Sequence, residues 1–365
     1  MKIKGRPVWK EVHLNHIREN LLQIRKIALN KRIISVIKDD AYGHGAAQVL
    51  KEIEPFSDFF GCACVKEALS LKKLTNKKFI IFGGLFDDEI RNLDNQVIPV
   101  VYDPEQLSKL ISSGGSYNIN LEFDTGMTRT GIPISETDGI ISLLKRNKKI
   151  KLFGLMSHFA AADSDSSFTI TQINIFGQIV NKFLSNGLKP EIIHIANSAG
   201  IFYETPSFVN AVRPGIMLYG GYPSNHLTSK IRLTPAMSFK TRIISLKEVA
   251  ENTPVSYGCT FKTQRKSVIA TLSVGYGDGY FRCLSNKGEV YIKDKGIAKV
   301  AGRVCMDMMM IDVTDIKDVK KGDEVVLWGF EHPKIHPDRI AKLANTISYE
   351  LFCSVSKRVK RFFIK

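Results

Sequence analysis

Acidic residues are in short supply in this chain: 36 Asp and Glu stand against 52 Lys and Arg in 365 residues, for a formal charge of +16. Such an excess attracts phosphate and raises a nucleic-acid role first. The basic residues, however, are scattered in ones and twos ("KKL", "NKKF", "RNKKIK", "KDVKKGD") with no long tract and no aromatic-interleaved stripe. They read as solvated surface, so no nucleic-acid partner is expected. Cysteine is also sparse. The six present (Cys62, Cys64, Cys259, Cys283, Cys305 and Cys353) form no CxxC pair, which argues against a disulfide framework and against zinc. The opening "MKIKGRPVWKEV" lacks an apolar signal core and no long uncharged apolar stretch occurs. The expectation is therefore a cytoplasmic chain with no membrane span and no metal. No GxGxxG follows the first apolar run, which removes the usual signature of a doubly wound dinucleotide fold.

Hydrophobic residues at 44% and charged ones at 24% describe a globular protein. The length exceeds what one compact core usually holds, so one large and one smaller domain are expected. From residue 8 to about 232, short apolar runs alternate with stretches of helical period. The runs are "RIISVI", "FFGCACV", "KFIIFGG", "QVIPVVY", "YNINLEF", "IKLFGLMS", "EIIHIA" and "FVNAVR". Eight of them predict a (β/α)8 barrel over 8–232. Beyond "LTPAMSFKTRI" the rhythm turns to short strands with turn signals ("NTPVSYG", "SNKGEV", "KKGDEVVLWG"). This predicts a β-rich domain over 233–365, with residues 1–7 as a candidate addition.

In such a barrel the residues just past the strand ends face the active-site mouth. The stretch "ISVIKDDAYGHGA" places Lys38 there, directly after a β-branched run. Arg129 follows "INLEFDTGMT", His158 follows "LFGLMS", His194, Asn197 and Ser198 stand in "IIHIANSAG", and Arg213 opens "RPGIMLYGG". Each has a plain alternative: a strand-end lysine reaches solvent, a histidine satisfies a core carbonyl, an arginine pairs with Asp124. Their convergence on one end of one barrel carries the argument. A strand-end lysine beside phosphate-binding turns suits pyridoxal phosphate, whose aldehyde condenses with the ε-amine once burial or a neighbouring cation lowers its pKa. The backbone N–H groups of "RPGI" and the Ser198 hydroxyl are candidate phosphate donors.

The motifs "VIKDDAYGHG", "FDTGMTRTG", "SHFAAAD", "HIANSAG", "VRPGIMLYGG", "VSYGCTF", "SVGYGDGY", "AGRVCMDMMMIDVT" and "SYELFCSVSKRV" closely resemble, in order and over nearly the whole chain, those of the alanine racemases. The resemblance implies a pyridoxal-phosphate barrel and a β domain, assembled as a homodimer whose two sites each borrow residues from the partner. It implies an enzyme interconverting L- and D-alanine by two bases and supplying D-alanine for peptidoglycan; a racemase of other or more amino acids, such as serine, on the same fold is the alternative. Lys38 then holds the cofactor and is the base for D-alanine, and Tyr276 of "GYGDG" is the base for L-alanine. Tyr42, His158, Asn197, Ser198, Arg213, Gly215, Ile216 and Tyr349 resemble the cofactor contacts, with Arg213 facing the ring nitrogen. Arg129 and the Met306 N–H resemble the clamp on the substrate carboxylate, with His194 and Asp307 in support.

Two departures bear on the site. Where the family usually has a carbamylated lysine two positions before "DTGM", this chain has Glu122, which is expected to supply the missing anion and steady Arg129 by a charge-assisted pair, or else to face solvent. Asp39, directly after Lys38, is more acidic than the usual small residue; strand alternation predicts that it points away from the site.

Overall fold

The computed structural model describes residues 5–365; residues 1–4, and with them part of the expectation that 1–7 join the second domain, lie outside the described residues. The chain opens with strand β1 (Val8–His13) and the helix Leu14–Ala28. Then come β2 (Arg32–Val36), β3 (Phe59–Cys62), β4 (Phe79–Ile81), β5 (Val97–Val101), β6 (Tyr117–Glu122), β7 (Ile150–Met156), β8 (Ile192–His194) and β9 (Ala211–Val212). These eight pair in parallel in chain order, and β9 pairs back onto β2 through Arg32 and Ala211, closing a barrel. They are the eight apolar runs read from the sequence. A parallel strand is covered on both faces, which is why "VIPVV" of β5 is apolar and buried at every position. The intervening helices bury one stripe each. Leu14–Ala28 turns Ile17, Leu21, Ile24 and Ala28 inward at helical spacing, and Ser166–Ser185 does so with Phe176, Ile179, Val180 and Phe183.

The second part contains β10 (Met237–Val249), β11 (Pro254–Val255), β12 (Phe261–Lys262), β13 (Ser267–Leu272), β14 (Glu289–Ile292), β15 (Gly296–Val300), β16 (Met309–Asp312), β17 (Glu324–Trp328) and β18 (Lys360–Ile364). The long strand β10 holds β17 with one half and β13 with the other, a register shift falling between Ile243 and Ser245. Six strands thereby close on themselves, in the order β10, β17, β14, β15, β16, β13.

The expected barrel start at residue 8 needs correction. β1 pairs antiparallel with β10 and parallel with β18, so the first strand belongs to the β-rich sheet and the chain enters the barrel only afterwards. "VWKEVH" is too short, and runs too directly into a helical pattern, to have announced its partners. The consequence for the site is direct: β1 and β18 carry Lys10 and Arg361 to the mouth of the barrel. Among the described residues no helix is long and apolar enough to cross a membrane.

Candidate active site

Lys38 leaves the barrel wall one residue after Ile37, whose N–H is still bonded to Gly61 O at 2.9 Å. The chain then makes a left-handed turn: Asp39, Asp40, Ala41 and Tyr42 all have φ between 51° and 56°. An L-residue in that region costs roughly 1–2 kcal/mol, so four in a row must be held by their surroundings. Glu67 Oε1 accepts from Asp39 N at 2.8 Å, and Asp40 Oδ1 accepts from Ala46 N at 2.8 Å. The other domain supplies the rest. Lys10 Nζ donates to Gly43 O at 2.9 Å, and Arg361 Nη2 pairs with Asp40 Oδ2 at 2.7 Å. Gly43 closes the turn with φ 76°, and a Cβ there would stand 2.8 Å from Phe352 O, so the position admits glycine alone without rearrangement.

The turn delivers Lys38 and Tyr42 to a cavity of about 500 Å³ at the C-terminal ends of the barrel strands. Glu122, Arg129, His158, Asn197, Ser198, Arg213, Gly215, Ile216 and Tyr349 line it as well. Burial first, and then the Arg129 guanidinium, holds the Lys38 amine below its ordinary pKa, which favours the neutral, nucleophilic form.

Arg213 is buried and fans four hydrogen bonds. Its Nη1 meets His194 Nδ1 at 2.6 Å, and its Nη2 meets Ser157 O at 2.8 Å, Ile195 O at 3.0 Å and His158 Nδ1 at 3.1 Å. A guanidinium only donates, so both imidazoles accept at Nδ1 and are neutral. Burial, and next the charge of Arg213, holds both well below the ordinary histidine pKa. Burial also pulls Arg213 down to about 10, which leaves it a cation at neutral pH. Asn197 Nδ2 lies 3.4 Å from His158 Nε2 and its Oδ1 accepts from Gly200 N at 2.9 Å.

The cavity also holds a set of hydroxyl donors. Ser198 Oγ accepts from Gly215 N at 2.9 Å, which leaves its hydroxyl proton to give elsewhere. Burial raises the Tyr42 and Tyr349 phenols above their ordinary pKa, so both stay protonated. A Cβ on Gly215 would sit 2.7 Å from Tyr42 Oη; the glycine makes room for that hydroxyl. The donor set fits a flat anionic group that carries a phosphate and an aldehyde: hydroxyl donors, an amine of lowered pKa and a guanidinium line one cavity.

Two expectations change. Glu122 is buried at the end of β6, not in solvent, and its Oε2 accepts from Thr130 Oγ1 at 3.0 Å; among the described residues it forms no ion pair with Arg129. The loop after β6 folds back along that strand, with Ile132 N bonded to Glu122 O at 2.8 Å, and this brings Thr130 alongside the carboxylate. Burial raises the Glu122 pKa, while Thr130 and then the charges of Arg213 and Arg129 oppose the rise. Asp39 lines the cavity, because a left-handed turn has no strand alternation to carry its side chain away.

Tyr276, Met306 and Asp307 do not line this cavity. They stand on the β domain beside an open hollow walled by Ser256, Tyr257, Cys305, Met306, Asp307 and Met308, with Tyr276, Met306 and Met308 42%, 55% and 48% exposed. One chain therefore brings together the residues around Lys38 but not these three. Sequence reasoning also passed over Lys10, Glu67 and Arg361, which hold the turn, and Cys353. Cys353 lines the cavity, and burial, then its hydrogen bond to Asp39, holds its thiol up at about 12. A lysine in an otherwise buried alternating strand, as in "VWKEVH", was the available signal for Lys10.

Comparison with known proteins places this geometry. The model of the alanine racemase N-terminal domain matches residues 12–223, and that of the alanine racemase C-terminal domain matches 236–363. An alanine racemase of Halothermothrix orenii is 40% identical over 98% of this chain and 96% of its own length. A solved structure of an alanine racemase of Clostridium difficile superposes with a TM-score of 0.92 at 35% identity, covering 100% of this chain and 97% of that one. That of Bacillus anthracis with bound L-Ala-P gives 0.90 at 30% identity, covering 100% and 96%.

Proposed function

This chain belongs to the alanine racemase family, and from that premise we propose that it interconverts L- and D-alanine on pyridoxal phosphate with Lys38 and Tyr276 as the two bases. The enzyme is an amino-acid isomerase. The relatives above are all alanine racemases, and nothing in the cavity favours a larger or broader set of substrates.

When bound, pyridoxal phosphate supplies an electron sink for the α-carbanion left by proton removal. Tyr42, Ser198, Tyr349 and the backbone at Gly215 and Ile216 hold its phosphate. Lys38 anchors it and moves the α-proton at Nζ. Arg213, protonated and fixed by His194 and His158, would be the partner of the ring nitrogen and would not give that nitrogen a full proton. Carbanion stabilisation is limited accordingly, which disfavours transamination. Arg129 orients the substrate carboxylate from the β6 loop. Inversion needs a proton acceptor on each face of the α-carbon; a single lysine returns the proton to the side it came from.

The second face implies a second copy of the chain. Tyr276 and Met306 are exposed on the β domain and outside the cavity, so a homodimer in which each β domain closes its partner's barrel completes both sites. Fixing of the exposed Tyr257, Met306 and Met308 in that contact gives their exposure a physical reason.

The observation that carries this reading is the lowered-pKa Lys38 amine in one cavity with the Tyr42, Ser198 and Tyr349 donors and the buried Arg213. Incubating the holoenzyme with L-alanine in D2O and following α-deuteration and chirality tests it. Deuterated D-alanine is expected; L-alanine unchanged in chirality and isotope, with cofactor bound, overturns it.

A further inference from the structure

The segment that carries Tyr276 is tied to the segment that carries Met306 by backbone. Tyr276 N donates to Cys305 O at 3.0 Å and Gly277 N donates to Met306 O at 2.9 Å. The two strands of chain are so close that a Cβ on Gly275 would meet Cys305 O at 2.2 Å. Beneath them lies a cluster of charges. Asp278, two residues after Tyr276, has a fully buried carboxylate. Arg6 grips it with two parallel bonds of 2.7 Å, Arg358 Nε donates to Oδ1 at 2.8 Å, and Gly275 N donates to Oδ2 at 3.0 Å. All four acceptor positions of that carboxylate are thereby used.

The same two arginines reach the Met306 side. Arg358 Nη2 donates to Asp307 Oδ1 at 2.7 Å, and Arg6 Nη2 donates to Asp307 O. The arginines come from opposite ends of the chain, one ahead of β1 and one ahead of β18, and a Cβ on Gly277 would collide with Arg358 Nη2 at 2.6 Å. Two carboxylates and two guanidiniums thus lock the Tyr276 and Met306 segments into one rigid plate.

We infer that Asp278, with Arg6 and Arg358, is a positioning residue of racemisation: the clamp sets Tyr276 and the Met306 N–H at a fixed separation before the partner's cavity receives them. The inference rests on the reading of Tyr276 as the second base. Buried, bidentate charge pairs suit this task because a forked contact fixes orientation as well as distance. A proton acceptor must stand within about 3 Å of its target, and a displacement of about 1 Å can cost roughly a hundredfold. Neither Asp278 nor the arginines need touch the substrate.

The test compares the holoenzyme with Tyr276→Phe, Asp278→Asn and Arg358→Ala variants in D2O, starting from D-alanine. Deuteration with retained chirality reports the Lys38 face alone, and appearance of L-alanine requires both faces. Asp278→Asn and Arg358→Ala are expected to lower racemisation about ten- to a hundredfold while retained-chirality exchange changes by less than about twofold, the same split that Tyr276→Phe shows. Amide hydrogen exchange at Tyr276 and Gly277 is expected to quicken in both clamp variants, whatever the activity. Arg358 is 44% exposed, so Arg358→Ala decides the matter if Asp278→Asn does not fold. Wild-type racemisation in the clamp variants beside a dead Tyr276→Phe overturns the inference alone, as does an equal loss of exchange and racemisation. Normal racemisation by Tyr276→Phe overturns the second-base reading and the inference with it.

Discussion

Nη1 of Arg213 stands 2.6 Å from Nδ1 of His194, and the proton between them belongs to the arginine. That single fact orders a buried chain of groups. His194 must carry its own proton on Nε2, where Asn120 Oδ1 accepts at 3.1 Å, and His158 must likewise accept from Arg213. The Arg213 cation is thus fixed by partners that cannot take its charge.

Arg213→Lys tests how much the fork contributes. An ammonium offers three donors on one atom where the guanidinium serves four acceptors spread over two nitrogens. At least one buried acceptor is left unpaired, at about 1–3 kcal/mol. Urea unfolding of the holoenzyme is expected to show that loss together with a lower kcat; wild-type stability would contradict the assigned geometry.

Acid should weaken the fold. Burial holds His44 down at about 3, and His158 and His194 well below their ordinary value. Above about pH 6.5 these groups are neutral in both folded and unfolded chains and contribute no pH dependence. Below it the unfolded chain takes up protons that the folded chain refuses, so stability falls as pH falls, by about 1.4 kcal/mol per pH unit for each group. The urea midpoint should drop between pH 6.5 and 5, with a shallower slope in His44→Gln. A midpoint independent of pH in this window would show that the imidazoles are not held neutral.

Glu122 is proposed to steady Arg129 through Thr130 and by its charge. Thr130→Val removes the tether, and Glu122→Gln keeps an acceptor for Thr130 but removes the charge. Each change is expected to raise KM for alanine about fivefold, near 1 kcal/mol, with a smaller effect on kcat. KM unchanged in both variants would return Arg129 to being held by the Asp124 loop alone, where Asp124 Oδ1 already accepts from Gly126 N, Met127 N and Thr128 N.

Gly215→Ala places a methyl 2.7 Å from Tyr42 Oη, in a spot the tyrosine must vacate. Losing one phosphate donor should weaken cofactor binding about tenfold, read as the pyridoxal phosphate Kd of the apoenzyme, with the melting temperature of the apoprotein nearly unchanged. An unaltered Kd would take Tyr42 out of the phosphate cradle.

Much of this was legible in the residues themselves. The eight barrel strands were visible because parallel strands buried on two faces need unbroken apolar runs, and Lys38 stood out because a lysine is a costly way to end one. The turn after it was not legible: four successive left-handed residues, none of them glycine, contradict local propensity and exist only because Glu67, Lys10 and Arg361 arrive from far along the chain. β1 was misassigned for the same reason, its sheet partners lying more than two hundred residues away. Asp278 carries no signal within "GYGDGY", because its worth depends on Arg6 and Arg358, which only the fold brings together.

Lys38 and Tyr276 of different subunits are proposed to make one site. The most direct measurement mixes Lys38→Ala with Tyr276→Phe, each inactive alone, under conditions that let subunits exchange. A hybrid dimer then holds one site with both residues intact and one with neither, so an equal mixture should recover about a quarter of wild-type racemisation. Activity that stays at the level of the separate variants after exchange, with hybrids demonstrated by mass spectrometry, would contradict the shared site.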